Sequence, residues 1–232
     1  MYDAINKGFN MATGEIYAWI NSDDKYLPKA FETMKNVFSK YRDIDWAKGR
    51  TVFINNNAQE TGISPCFIFN KEWIKRGIYG RYAYFIHQES VFWRGSLYNR
   101  SNKVNTSLKY AGDYDLWCRF AQHTDLWSVD TPVSVFRQRD GQLSGDMTNY
   151  RYEQENIRKI GGLLPRVVMF FFFIKNKLAP DNNSLLLHYI YKILFNKRTR
   201  QYIAVERNGD LNKVEAYSYV STSKQNDIKK II

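Results

Sequence analysis

The chain has 232 residues, 44% hydrophobic and 16% aromatic, which excludes wholesale disorder and allows one large domain or a domain with an appendage. Its formal charge of +11 is uneven: residues 151–232 carry 15 Lys and Arg against 7 Asp and Glu, a basic third suited to an anionic surface or to solvent. Cys66 and Cys118 lack metal spacing and read as reduced, buried thiols of a cytoplasmic protein with no secretory signal.

Taken in chain order, residues 2–12 place Ala4, Ile5, Gly8 and Phe9 at helical spacing, and Gly14 stops the helix. EIYAWIN (15–21) is an apolar, aromatic run expected to be a buried strand leading into Ser22-Asp23-Asp24. Pro28 opens a second helix, PKAFETMKNVFSKY, with Phe31, Met34, Val37 and Phe38 expected on one face. Strands are expected at 44–47 and 51–54, separated by Gly49, then a helix at 70–76, a loop at 77–84 and a strand at 89–93. Gly112 precedes a helix over 113–122, strands follow at 125–129 and 133–137, and a polar loop leads into a charged helix ending near Ile160. Alternating strands and helices predict an α/β domain with a mostly parallel sheet over residues 1–160.

From Gly161 to Ile232 the sequence reads as a basic, mainly helical extension. VVMFFFFI (167–174) is far short of the ~20 apolar residues that span a bilayer, so it either lies in a membrane interface or caps the core. Residues 184–195 read as another apolar helix, and Asn208-Gly209 as the turn of a terminal hairpin.

Four segments carry candidate chemistry. Asn21-Ser22-Asp23-Asp24 follows a strand, where α/β sheets bind ligands. Adjacent carboxylates repel unless a cation or donors offset them, so the pair suits a divalent ion on a phosphate, or else an Asx turn with a helix cap. Asp113, in AGDYDLW, sits at a helix start whose free N–H groups hold a carboxylate charged; it is a general base or a cap. His87-Gln88-Glu89 leads into an apolar strand, and the three histidines His87, His123 and His188 lack zinc spacing. Arg137 and Arg139 end a strand, where guanidiniums suit a diphosphate.

In this order, YDAINKGFNMATGEIYAWINSDDKYLP, FIHQESVFWR, YAGDYDLWCRF and FRQRDGQLS resemble bacterial family 2 glycosyltransferases with the GT-A fold, over residues 1 to about 160. The resemblance implies a Rossmann-related sheet flanked by helices and inverting transfer of a sugar from a nucleotide-diphosphate donor to a glycan or lipid-linked hydroxyl. It assigns Asp23 to a Mn²⁺ or Mg²⁺ ion and Asp113 to the catalytic base. Gln88, Glu89, Trp93 and Asp115 fall on the acceptor side. Asp3, Asn6, Lys7, Asn21, Arg137 and Arg139 fall near the nucleotide and its diphosphate. Three positions depart from the family pattern: Asn21 stands where Asp is common, Gly112 where Glu is common, and Arg139 where many relatives have a metal-ligating His. Arginine cannot ligate a metal, but it can neutralise a diphosphate.

The family also implies a first βαβαβ section ahead of the present Met1, so the sheet is expected to be incomplete on that side. The alternative expectation is an inactive, truncated fragment that docks to membrane or to a partner through its basic tail. The implied place is the cytoplasm, peripheral to the inner membrane face. No helix-turn-helix, zinc-finger or RNA-binding signature points to nucleic acid.

Overall fold

The computed structural model describes residues 1–158, except 82–83, 140 and 143–144, together with residue 167 and residues 199–216 except 207. Helix α1 (Tyr2–Met11) forms as its spacing predicts, with Tyr2 buried and Ile5 and Phe9 packed against the core. The expected strand at 15–21 shortens to β1 (Ile16–Tyr17). Beyond it the Trp19 carbonyl accepts from the Gln88 amide and the Tyr26 hydroxyl instead of from a neighbouring strand. A turn and the short β2 (Lys25–Tyr26) lead to α2 (Ala30–Lys40), which starts after Lys29. Met34, Val37 and Phe38 of α2 are buried as expected, but Phe31 is 62% exposed and only edges onto Tyr26 and Phe92.

The two strands expected around Gly49 are one strand, β3 (Trp46–Ile54), and the two expected around Pro132 are likewise one, β6 (Trp127–Arg137). The strands run parallel, with register shifts at Lys48–Thr51 that accommodate Pro132. Gly49 is required there: a Cβ would lie 2.5 Å from a Val133 methyl of β6. A tight Asn55–Gln59 turn returns β3 as β4 (Glu60–Ile63). Helix α3 (Lys71–Lys75), capped by the Asn70 side chain, precedes a 3₁₀ turn at Gln88–Ser90, then β5 (Val91–Arg94) and α4 (Gly95–Arg100). Helices α5 (Gly112–His123) and α6 (Met147–Ile157) stand near their expected bounds.

Among the described residues eight strands make one sheet, with β1, β5, β3, β6, β7 and β8 in that order, β2 on β6 and β4 on β3. The α/β class with flanking helices is as expected, but the sheet is mixed. Only β3–β6 and β6–β7 pair in parallel; β3–β4 and β7–β8 are hairpins, and β1–β5, β3–β5 and β2–β6 are antiparallel pairs between strands distant in sequence. The Asn208-Gly209 hairpin is present as β7 (Thr199–Val205) and β8 (Leu211–Ala216), and β7 joins β6 in the main sheet. The apolar segments at 168–174 and 184–195 lie outside the described residues. No helix among the described residues is long and apolar enough to cross a membrane.

Alternation along the strands sorts the core onto two faces. Trp46 and Trp93, partners across β3–β5, face α1, α3, α4 and α5, while Ala47 and Phe92, the next pair, face α2. The first face is strongly aromatic: Trp19, Trp46, Trp93, Trp117 and Phe120 pack on one another with centroids 5.3–6.0 Å apart. Both cysteines are free and buried, as expected.

Candidate active site

The parallel strands β3 and β6 end together, with Ile54 opposite Arg137, and the Asn21–Asp24 turn folds over this carboxyl end. Strand β2 pairs with β6, and the Arg137 backbone N–H donates to Asp24 Oδ1 at 3.0 Å. The turn closes on itself: Asp24 N–H donates to the Asn21 carbonyl and the Asn21 amide to Asp24 Oδ2 at 3.3 Å. Burial, with Asp23 alongside, pushes the Asp24 carboxyl above its usual range despite those donors. Asn21 therefore serves the turn itself.

Asp23 points the other way, into the loop after β6. Its Oδ2 accepts from Arg139 Nε at 2.9 Å and from the Gln142 amide at 3.2 Å. Burial works to raise this carboxyl, but the Arg139 and Gln142 bonds prevail and hold it below its usual value. Gln142 in turn accepts from the Arg139 N–H, so the loop is organised around the acid. Arg137 aims elsewhere, its guanidinium reaching the Asn55 and Asn56 carbonyls at 3.5 and 3.4 Å.

Asp113 stands in the first turn of α5, half-buried, in a small pocket walled by Tyr79, Phe85, Ile86, Trp117 and Tyr150. Burial lifts its pKa to about 6 against the stabilising Tyr114 N–H and the Tyr150 hydroxyl, which donates to Oδ1 at 3.3 Å. Two further groups fix the start of α5. Glu153 of α6 accepts from the N–H groups of Lys109, Tyr110 and Ala111, each at 2.8 Å. The Tyr2 hydroxyl accepts from Gly112 N–H at 2.9 Å and donates to the Tyr110 carbonyl. The Tyr2 ring also explains the glycine: a Cβ at position 112 would meet it at 2.5 Å, so no glutamate fits there.

The two acids belong to elements that touch. Trp19, four residues before Asp23, stacks on Trp117, four after Asp113, with centroids 6.0 Å apart and planes at 13°. Along the rim, Phe85 lies between the Tyr150 ring (6.2 Å) and the His87 ring (6.4 Å). Behind it Glu89 is 3% exposed and 4.0 Å from His87 Nδ1. Burial drives its carboxyl up to about 7, drives Lys48 down to about 8, and drives His87 down to about 3. Glu89 Oε1 has no hydrogen-bond partner among the described residues.

Several expected site residues serve the fold instead. Trp93 is fully buried between Trp19, Trp117 and Phe120 and offers no surface to an acceptor. Asp115 is buried and accepts two bonds from Arg119, whose other nitrogen holds the Ser101 and Lys103 carbonyls. The Asn6 side chain braces Val104 and Tyr98, and Asp3 and Lys7 pair with each other on the exposed side of α1. Gln88 gives its amide to the Trp19 carbonyl, which ties the 3₁₀ turn to the segment entering Asn21. The residues missed were Tyr150, Glu153, Gln142 and Tyr2. Tyr150 and Glu153 lie three apart on one helix, so the signal was a polar face of α6 turned inward.

Residues 1–102 match the family model described as glycosyl transferase family 2. Over those residues, less than half of the chain, it is similar to glycosyl transferase family 2. The family segment includes Asp23, Gln88 and Glu89, and ends before Asp113. An uncharacterized glycosyltransferase of Rickettsia typhi is 24% identical over 154 residues, covering 66% of this chain and 48% of that protein. One from Rickettsia prowazekii is 22% identical over 156 residues, covering 66% and 49%. The chain thus spans about half the length of the curated relatives it matches. Among solved structures, S. aureus TarS 1–349 is similar at a TM-score of 0.44 and 11% identity, over 83% of this chain and 58% of that one.

Family 2 enzymes generally use a divalent cation, and the residues present fit one poorly. Magnesium takes one or two carboxylates besides substrate phosphates. Here Asp23 is engaged by a guanidinium and an amide, and both oxygens of Asp24 carry donors. The residue after β6 that could have been a ligand is Arg139, a cation itself. Among the described residues no three His, Cys, Asp or Glu side chains converge into a metal cage.

Proposed function

We propose that this chain is the catalytic portion of an inverting glycosyltransferase, moving a sugar from a nucleotide-diphosphate donor to a hydroxyl of a glycan or lipid-linked acceptor of the cell surface. One observation carries the reading: Asp113 is half-buried at a helix start, oriented by Tyr150, with a pKa near 6. Such a carboxylate is charged at neutral pH yet more basic than a solvated one, which suits a general base. The Phe85 and Tyr150 rings beside it are apolar walls of the kind on which a sugar ring packs.

In this mechanism the acceptor hydroxyl gives its proton to Asp113 as its oxygen attacks the anomeric carbon. Attack comes from the side opposite the diphosphate, so the new glycosidic bond has inverted configuration. The bond to the diphosphate breaks and its electron pair leaves on the phosphate oxygen. Preorganised positive groups at that oxygen lower the barrier without reorganising.

The test is turnover of UDP- and dTDP-sugars with the anomeric configuration of the product read by NMR. Asp113→Asn is expected to cost on the order of 10²–10⁴ in rate, the usual worth of a positioned base, while donor affinity stays within about twofold. Retained configuration, or an Asp113→Asn enzyme as fast as the parent, would sink the assignment. The net basic charge of residues 151–232 supports a peripheral place at the inner membrane face. Sedimentation with anionic but not neutral liposomes, weakening with salt, is the expected outcome; equal partitioning to both refutes it.

A further inference from the structure

The residue that faces Asp23 is itself a cation, and that changes what the site needs. We propose that the Arg139 guanidinium takes the place of a divalent metal at the donor diphosphate, so that this chain binds a nucleoside diphosphate without metal. The proposal rests on the transferase reading for the identity of the ligand, but its chemistry is carried by Arg139, Asp23 and the groove beside them.

Arg139 uses one of its five donors, Nε, on Asp23, and its backbone N–H is held by Gln142. Its two terminal nitrogens have no hydrogen-bond partner among the described residues, and its side chain is 48% exposed. Arg139 lines an open groove of ≈ 420 Å³ together with Asn55, Asn56, Asn57 and Gln138. Among the described residues the walls are therefore amides and one guanidinium, with no carboxylate. Amide N–H₂ groups and a guanidinium fork match phosphate oxygens, whereas a hard divalent cation seeks carboxylates.

The arrangement also opposes a metal directly. A divalent ion on Asp23 Oδ2 would have to displace the guanidinium now 2.9 Å away and then tolerate its charge nearby. With Arg139 in place, Asp23 becomes the anchor that aims the arginine. One edge of the guanidinium stays on the carboxylate and the other faces the groove. In the transfer step the bond from the anomeric carbon to the diphosphate oxygen breaks, and that oxygen keeps the electron pair. The acceptor oxygen forms the new bond and its proton passes to Asp113. Arg139 contributes charge only, since a guanidinium does not give up its proton near neutral pH.

The experiment titrates the full chain calorimetrically with UDP and, separately, with inorganic pyrophosphate, in EDTA and in Mn²⁺. The EPR signal of free Mn²⁺ is followed without nucleotide. The parent protein is expected to bind both anions in EDTA and to leave the Mn²⁺ signal unchanged. Arg139→Ala should weaken anion binding in EDTA by about tenfold or more, as loss of a charge-assisted pair implies. Arg139→His, which restores a metal-ligating side chain, should bind the anions only when Mn²⁺ is added. Abolition of parent binding by EDTA overturns the proposal. So does a Mn²⁺ site that disappears in Asp23→Asn, or no anion binding in any buffer. Failure of the transferase reading would show differently, as no turnover of UDP- or dTDP-sugars by the parent protein, with these titrations unaffected.

Discussion

Replacing Tyr150 by phenylalanine tests the base most directly, because the change removes one hydroxyl and keeps the ring. That hydroxyl donates to Asp113 Oδ1 at 3.3 Å, and burial with Asp113 alongside raises its own pKa far above the ordinary tyrosine value, so it remains a donor throughout the working range. A bond of that length to a charged oxygen is worth about 1 kcal/mol, or roughly 0.7 pKa unit. The bond favours the ionised carboxylate, so its loss raises the Asp113 pKa from about 6 to roughly 6.7. A base must be deprotonated to act, so the rate climbs with pH through this pKa and the acid limb moves to higher pH. At pH 6.5 the charged fraction falls from roughly three-quarters to about two-fifths, while above pH 8 the two enzymes converge apart from any loss of orientation. The assay is the pH profile of kcat/KM for both proteins. A limb that stays put in an active Tyr150→Phe enzyme, or moves to lower pH, refutes the assignment of Asp113 as the titrating base.

Three other outcomes follow from packing and charge. Because the folded pKa of Asp113 is raised by about two units, the group stabilises the fold fully below pH 4 and loses that contribution as pH rises through about 6; Asp113→Asn should therefore gain roughly 2–3 kcal/mol at pH 8 and little at pH 4, read by thermal melts. Equal melting shifts at both pH values would remove burial of the charge as the cause. Gly49→Ala puts a Cβ 2.5 Å from Val133 and 2.9 Å from the Thr131 carbonyl, and should cost about 2 kcal/mol. In a Val133→Ala background the penalty should drop by about half, and a double-mutant cycle with no coupling contradicts the close approach. Glu153→Gln should speed amide exchange at Lys109, Tyr110 and Ala111 before the rest of the sheet is affected, since those three N–H groups share its carboxylate. Protection unchanged at these amides would mean that α6 does not hold the start of α5.

Local signals served well where structure is local. Helices α1, α3, α5 and α6 and the Asn208-Gly209 hairpin follow from residue spacing, caps and turn residues. The same signals misled where a neighbour strand decides. Gly49 and Pro132 look like breaks, yet lie inside β3 and β6, because a glycine admits Val133 and a bulge admits proline. The run at 15–21 has strand composition, but its carbonyl at Trp19 is taken by Gln88 and Tyr26, so pairing stops at Tyr17. Parallel order was overestimated for a related reason: alternating elements do not reveal that β5 and β2 meet distant strands antiparallel.

The candidate site divides along the same line. Asp23 and Asp113 were legible because a strand end and a helix start are positions where a backbone exposes its dipoles and donors. What orients each acid comes from far along the chain. The donor to Asp113 lies 37 residues away, and the hydroxyl that fixes Gly112 lies 110 away. Long-range partners also reassign residues that look alike in sequence. Asp113 and Asp115 are both acids in the first turn of one helix, but 100° per residue turns them about 200° apart. One therefore opens on the aromatic pocket under Tyr150, and the other closes on Arg119 to hold the 101–103 loop. Asp23 and Asp24 divide likewise: Asp24 is satisfied by Arg137 N–H and Asn21 and fixes the turn, which leaves Asp23 to meet Arg139. In both pairs the fold uses one carboxylate to build the scaffold, and the other is the one the proposed chemistry employs, Asp113 as base and Asp23 as the anchor of Arg139.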